Sequence, residues 1–149
     1  MSLTQARIDD IAAQPIAAQK LLIGGKWLDG EGEPNKVLSP INGQVLTTTA
    51  SASAADVTRA VRAARDSFDA GVWARMAPAG RKAVLHRLAD LIEKNALELA
   101  ILGVRDNGTD IGMALKAEPA SAAGTFRYYA EAIDKVYGEI APTADNVLA

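Results

Sequence analysis

The sequence contains no cysteine. That excludes disulfides, thiolate metal sites and a cysteine nucleophile within these 149 residues, and it fits a reducing compartment. There is a single histidine, His86. One imidazole cannot build a multi-histidine metal site within a chain, and any Ser-His-Asp triad has to run through it. No apolar run approaches the roughly 20 residues of a membrane-spanning helix. The first twenty residues lack the basic start and apolar block of a secretory signal. The expectation is a soluble, cytoplasmic protein with no membrane partner. Phosphate-cradling glycine motifs are missing too. Gly24-Gly25 stands between strand-like runs, Gly108 is followed by Thr109 rather than Lys-Ser or Lys-Thr, and there is no GxGxxG.

Aromatic residues are scarce at 5%, whereas the chain holds 30 alanines. Many alanines with few large side chains favour helices that approach closely over small contacts, so the core is expected to be thin per residue. A chain of this length suffices for one ordinary domain.

Charge is unevenly spread. Residues 1–58 carry 4 basic and 6 acidic side chains, residues 59–87 carry 7 and 2, and residues 88–149 carry 5 and 10. Arg59, Arg62, Arg65, Arg75 and Arg81 could form a nucleic-acid face. The overall acidic balance and the lack of a binding motif favour a solvated helix face, or one turned toward the acidic last third. No nucleic-acid partner is expected.

Along the chain, residues 1–20 are weakly patterned. Ile8, Ile11 and Ile16 suit a short docked turn, Pro15 opposes a long helix, and a mobile or peripheral arm is expected. Residues 21–50 read as strands. Leu21-Leu22-Ile23 and Lys26-Trp27-Leu28 flank the Gly24-Gly25 turn, a loop covers 29–35, and strands over 36–38 and 44–49 flank a turn at 39–43.

From Ser53 the period becomes helical. Ser53 with Asp56 forms a capping signature, Val57, Ala60, Val61, Ala64 and Phe68 share a face, and Gly71 stops the helix. Pro78 opens a second helix with a stripe of Val84, Leu85, Leu88, Leu91 and Ile92. Asn95 with Glu98 reads as another capping box, and Asn107-Gly108 stops that helix. A short turn over 111–115 is expected next. A last helix then starts near Glu118-Pro119, turns Phe126, Tyr129, Ile133 and Tyr137 inward, and ends at Gly138. Strands precede four or five helices without alternation. The fold class is therefore α+β, a small antiparallel strand unit followed by helices, and not a doubly wound sheet within these residues.

Few residues could carry chemistry. His86 lies among Arg81, Lys82 and Arg87 with no local serine or carboxylate partner, which favours a surface or boundary role. Glu31 with Glu33, and Asp9 with Asp10, are carboxylate pairs best read as solvated. Tyr128 and Tyr129 could stack a base, though the helical stripe favours core packing for Tyr129. Asp106-Asn107-Gly108 is the most suggestive short piece. A carboxylate at a helix C-terminus faces the wrong dipole end. Either a bound monovalent cation or a side chain bonding its own turn would compensate, and the second is favoured. The residues taken singly show no complete active site.

The blocks LLIGGKWLDG, SPINGQVL, the long stretch from Ala54 to Ala100, RDNG and FRYYAEAIDKVYGEI resemble, in order, the N-terminal part of the NAD(P)-dependent aldehyde dehydrogenase superfamily. Residues 129–139 look most like its γ-glutamyl-γ-aminobutyraldehyde branch. The resemblance implies an α/β parent fold and oxidation of an aldehyde to an acid through a cysteine thiolate, with NAD or NADP as hydride acceptor and an oxyanion hole. The family's cysteine and dinucleotide-binding strands lie further along than Ala149. The chain alone is accordingly expected to be inactive and to hold no dinucleotide. The implied division is an arm over 1–20, the start of the cofactor domain over 21–138, and the start of an oligomerisation strand over 139–149. Implied partners are the rest of the dehydrogenase chain and further copies of it. A partial Na+ or K+ site is implied at the Val37 and Leu38 carbonyls and the Asp106 carboxylate. Thr109-Asp110 departs from the family's usual Lys-Pro at that turn.

Three readings follow: an enzyme segment, a stand-alone binding or structural module derived from that family, and a nucleic-acid binder. The first is favoured. A segment parted from its sheet is also expected to expose the Val84, Leu88, Leu91 and Phe126, Tyr129, Ile133 stripes and to self-associate.

Overall fold

The structure is a computed structural model that describes residues 4–138. The expected oligomerisation strand over 139–149 lies outside the described residues. Two antiparallel hairpins follow a short N-terminal helix. In the first, β1 (Leu21–Ile23) pairs with β2 (Lys26–Leu28), Leu21 opposite Leu28. Gly24 and Gly25 have φ of 57° and 76°, the pair of left-handed residues that a tight two-residue hairpin turn requires.

In the second hairpin, β3 (Gly32–Leu38) pairs with β4 (Val45–Ser51). The loop expected over 29–35 ends earlier, because β3 begins at Gly32. Its register shifts between Gly32 and Asn35, so Pro34, which has no N–H to give, sits at an irregularity where the ladder asks nothing of it. The intervening turn closes through Ser39 N donating to Gln44 O and Gly43 N donating to Ser39 O, both 2.8 Å.

The N-terminal segment is more ordered than its weak pattern suggests. α1 (Gln5–Ala12) is capped by Thr4, whose hydroxyl accepts from Arg7 N. After Pro15 the chain runs beside β4: Gln19 N donates to Thr48 O and Ala50 N donates to Gln19 O. Arg105 Nη1 donates to Gln14 O at 2.7 Å and ties the segment to the fourth helix.

α2 (Ala54–Ala70) starts with the expected capping box of Ser53 and Asp56 and ends at Gly71, φ 64°. α3 (Pro78–Lys94) has its proline in the first turn. α4 (Ala96–Asn107) lacks the expected second capping box. Asn95 closes α3 and opens α4 at once, with φ −105° and ψ 16°, outside the extended geometry of an N-cap. Its side-chain amide turns back and donates to Leu91 O at 2.7 Å.

The end of the chain departs most from expectation. Ile111–Ala132 is a single helix, α5, where a short turn and a later helix were expected. The start signal is Asp110, whose carboxylate accepts from Gly112 N and Met113 N. Pro119 lies inside α5 and is buried. It has no N–H for the Leu115 carbonyl, but tertiary packing carries the helix through it. α5 stops at Ala132, before Gly138, and Tyr129 and Tyr137 are exposed rather than inward.

The residues that face inward are small. Ala89, Ala100, Ile101, Ala114, Ala123 and Ala130 form the buried apolar core, where α3, α4 and α5 meet. Small side chains let helix axes come close, and at Gly103 of α4 the Glu118 side chain of α5 folds over the glycine, its Oε2 lying 2.6 Å from where a Cβ would sit. Leucine stripes on α3 reach this core only in part, with Leu88 and Leu91 partly open to solvent.

Candidate functional site

The turn after α4 decides where Asp106 points. Gly108 adopts φ 78° and its N–H donates to Val104 O. Asn107 Oδ1 accepts from Thr109 N at 2.7 Å, so it is the asparagine that closes the turn. Asp106 is left out of that bonding and lines a cavity of about 310 Å³ together with Val37, Gln19, Thr47 and Thr49. Pro40 packs against Gly108, with its Cγ only 3.3 Å from where a Cβ would sit. This contact brings the β3–β4 turn onto the C-terminus of α4, and so Val37 onto Asp106.

Leu38 is not among the lining residues. The β3–β4 register shifts between Val37 and Leu38, which interrupts the ladder at the two carbonyls in question. The wall of this cavity is mostly apolar, with Ile16, Val37, Leu46 and Leu102 beside the Asp106 carboxylate. Among the described residues no three His, Cys, Asp or Glu side chains gather as a metal-binding group.

A second constellation ties α2 to the hairpins. Asp56 is fully buried, and its Oδ2 accepts from Ser53 N and Glu31 N, each at 2.9 Å, and from Ser53 Oγ at 3.0 Å. Its Oδ1 accepts from Arg59. The backbone N–H of Ser53, that of Glu31 and the guanidinium hold the carboxyl at about 2, well below its ordinary 3.8. Glu31 is not simply solvated. It accepts from both Arg59 Nη atoms at 3.1 Å, and its Oε2, 2.9 Å from Ser53 Oγ, shares the single hydroxyl proton of Ser53 with Asp56 Oδ2. The clasp is structural: its carboxylates are partnered, and its one hydroxyl, Ser53 Oγ, is engaged in capping α2, where it accepts from Asp56 N. Of the other acidic pair, Asp9 accepts from the Gln5 side chain within α1.

His86 meets a carboxylate but no hydroxyl. Its Nε2 donates to Glu131 Oε1 at 2.9 Å, and Lys82 Nζ donates to Glu131 Oε2 at 2.6 Å. Lys82 also lies 3.6 Å from Asp134, and Arg127 of α5 reaches Asp90 and Glu93 of α3. The basic middle of the chain thus turns partly toward the acidic last third. The Lys82 ammonium, bonded first by Glu131, is raised from its usual range, and Glu131 is lowered by Lys82 and then by His86. The five arginines do not form one face. Arg59 serves the Asp56 clasp, Arg65 lies over Phe68 at 5.5 Å, and Arg75 donates to the Ala70 carbonyl.

Sequence reasoning missed Arg81. Its Nε is buried with no hydrogen-bond partner among the described residues. The signal was available, since residue 81 falls on the helical stripe of Leu85, Leu88 and Ile92. Tyr129 is likewise no core residue: it is 61% exposed and packs edge to face on Tyr128, centroids 5.3 Å apart.

These sites position backbone and charge, and none offers an activated nucleophile. Comparison with known proteins supplies what geometry alone does not. The sequence pattern of the aldehyde dehydrogenase family matches residues 27–149. The chain belongs to the aldehyde dehydrogenase family. It is 43% identical over 131 residues to the NADP/NAD-dependent aldehyde dehydrogenase PuuC of Escherichia coli K12, covering 87% of this chain and 26% of that protein. The fold superimposes on γ-glutamyl-γ-aminobutyraldehyde dehydrogenase from Burkholderia cenocepacia with a TM-score of 0.88 and 42% identity, over 95% of this chain and 29% of that one. It also superimposes on an indole-3-acetaldehyde dehydrogenase of P. syringae in complex with NAD+, TM-score 0.90 and 39% identity, over 97% of this chain and 30% of that one. The chain therefore spans between a quarter and a third of the length of these aldehyde dehydrogenases.

Proposed function

We propose that these residues are the N-terminal portion of an NAD(P)-dependent aldehyde dehydrogenase that oxidises an aldehyde, of the amino-aldehyde class, to its carboxylic acid. The observation that carries this reading is the family match over residues 27–149 in a chain that spans 26% of the Escherichia coli relative. In this reading residues 1–20 are an arm and residues 21–138 begin the cofactor domain. The 149 residues hold no cysteine, so the nucleophile belongs to the rest of the polypeptide and this portion alone is inactive.

In this reading the dinucleotide is bound by the rest of the polypeptide. Gly24-Gly25 joins two strands rather than leading into a helix N-terminus, so that turn is no backbone N–H cradle for a pyrophosphate. No step is assigned to it within these residues. By the family resemblance a monovalent cation would be held by the Asp106 carboxylate and the Val37 and Leu38 carbonyls, of which Asp106 and Val37 line the cavity and Leu38 does not, and it would offset the negative end of α4. Its chemistry would be charge neutralisation. Oligomerisation, which rests on the family resemblance, and a cytoplasmic location complete the reading.

The test is the intact mass of the protein from its source, with peptides covering residues 27–138, followed by an assay of aldehyde oxidation with NAD+ and NADP+. The 131 aligned residues at 26% coverage correspond to a species roughly three and a half times the 15.6 kDa of these residues. A 15.6 kDa species that leaves aldehydes untouched would overturn the proposal in favour of a stand-alone module.

A further inference from the structure

The N-terminal segment does not lie flat on α4. Between them is a cavity of about 440 Å³, within the range of small-molecule sites, about 300–1,000 Å³. Its floor is apolar, with Ile11 and Ile16 of the segment across from Ile101 and Leu102 of α4. Ile101 is 2% exposed, so this floor is part of the bundle core and is formed in advance of any ligand.

Two opposite charges share the wall. Glu98 and Arg105 both line the cavity from α4. Seven residues apart, they stand on one helix face nearly two turns from each other, about 10 Å along the axis. No bond joins them. The half-buried Arg105 is fixed at its end of the cavity, because its Nη1 donates to Gln14 O at 2.7 Å. That bond uses one of the five N–H groups of a guanidinium. Glu98 is exposed at the other end.

A lone anion in this cavity meets the Glu98 carboxylate, and a lone cation meets the Arg105 guanidinium. A molecule with a carboxylate at one end, an ammonium at the other and methylenes between them satisfies both ends and the apolar floor. An α-amino acid such as glycine does not, because its two charges sit on a single carbon and cannot span the separation. We propose that the cavity between the N-terminal segment and α4 binds a small ω-amino acid, its carboxylate on Arg105 and its ammonium on Glu98. For the origin of this ligand the proposal rests on the functional reading above: oxidising the aldehyde end of an amino-aldehyde leaves a molecule of this class, so the occupant is a product of the reaction.

The test is equilibrium dialysis of the complete polypeptide against 4-aminobutanoate, with butanoate, butylamine and glycine as probes that lack one charge or the separation. 4-Aminobutanoate is expected to bind about tenfold tighter than any of the three. Glu98→Gln, which keeps the shape and removes the charge, closes the gap between 4-aminobutanoate and butanoate. Arg105→Met closes the gap between 4-aminobutanoate and butylamine, and Arg105→Lys, which keeps the charge, reopens it. A displaced N-terminal segment would weaken all four ligands alike, so the selective loss is the readout. Equal affinity for the four, or 4-aminobutanoate binding that neither Glu98→Gln nor Arg105→Met alters, overturns the proposal. If such a protein still oxidises amino-aldehydes with NAD+ or NADP+, the functional reading stands. Binding that follows Glu98 and Arg105 in a protein that oxidises no aldehyde upholds the site and overturns that reading.

Discussion

α3, α4 and α5 meet through alanine, whereas α2 buries a single side chain, the carboxylate of Asp56. On the α2 side the apolar stripe of Val57, Val61 and Phe68 faces solvent, with Phe68 70% exposed. The helix is held to the β1–β2 and β3–β4 hairpins mainly at its N-terminus, through Ser53, Asp56, Arg59 and Glu31. The bundle is thus fixed by close approach of backbones, a diffuse interaction that tolerates small changes in polarity but not in volume. α2 is fixed by directional bonds converging on one atom group, which tolerates volume but not loss of charge. An alanine-rich chain can use both, because alanine supplies helix propensity without committing the helix to a particular partner.

The largest break in this comparison is Asp56→Ala. It leaves the N–H groups of Ser53 and Glu31 and the Arg59 guanidinium without their acceptor. The melting temperature should fall by roughly 10 °C. Hydrogen exchange should show α2 amides losing protection before those of α3 and α5. Acid sharpens the point. The folded carboxyl sits at about 2, below its ordinary 3.8, so its contribution is complete above about 3.8 and disappears as the pH falls through about 2. Acid unfolding followed by circular dichroism should show a step in that window which Asp56→Asn lacks. If α2 and the bundle instead unfold together in both proteins, the two regions are not held separately.

The reciprocal break is Ala123→Leu. Ala123 is fully buried in the core of the bundle, so three extra carbons must push helices apart. The expected cost is about 1–3 kcal/mol by urea denaturation. The same change at exposed Val61 or Phe68 positions should cost less than about 0.5 kcal/mol. A core that accepted leucine at 123 without loss would mean that the alanine contacts are loose.

How much of this contrast was readable in advance differs by side. The capping box at Ser53 and Asp56 was legible, because its signature is local in sequence. Its reach to Glu31 was not, since that bond joins residues 25 apart and Glu31 looked like a solvated loop residue. Helix starts marked by proline and stops marked by glycine, at Pro78, Gly71 and Gly108, were legible for the same reason. The continuity of α5 was hidden by Pro119, whose local cost is overridden by burial. The inward face of α5 was misread because bulk was taken as the mark of the core. In a close-packed bundle alanine goes inside, and the tyrosines are left at the rim. The Asp106 cavity was half legible: the Asp-Asn-Gly turn is in the sequence, but which side chain closes it depends on Asn107 and on Pro40 arriving from the β3–β4 turn.

A milder break addresses the open faces. The isolated residues should bind an apolar-surface dye and sediment above the monomer, because Val61 at 64% and Phe68 at 70% exposure lie one above the other on α2. Val61→Ser with Phe68→Ser should reduce dye binding severalfold while leaving the urea midpoint nearly unchanged. A sharp monomer that binds no dye before mutation would mean that these faces are closed by something other than the described contacts.

The smallest effect is expected at the ion pairs that join α3 to α5. Arg127 bridges Asp90 and Glu93, bonded to Asp90 at 3.0 Å, which raises the guanidinium above its usual range. Lys82 and His86 converge on Glu131 in the same seam. These charges lie at the surface of an interface already closed by alanine, and their partners are more than half exposed on Asp90 and Glu93. Solvent screens such pairs, and holding two long side chains in one geometry offsets part of the attraction. Arg127→Ala should therefore lower the melting temperature by only about 2 °C in dilute buffer, and the difference should disappear near 1 M salt, where the screening length is about 3 Å. A large loss that survives high salt would instead make Arg127 part of what closes the bundle. Packing and charge would then share the α3–α5 contact, whereas directional bonds are the main hold on α2.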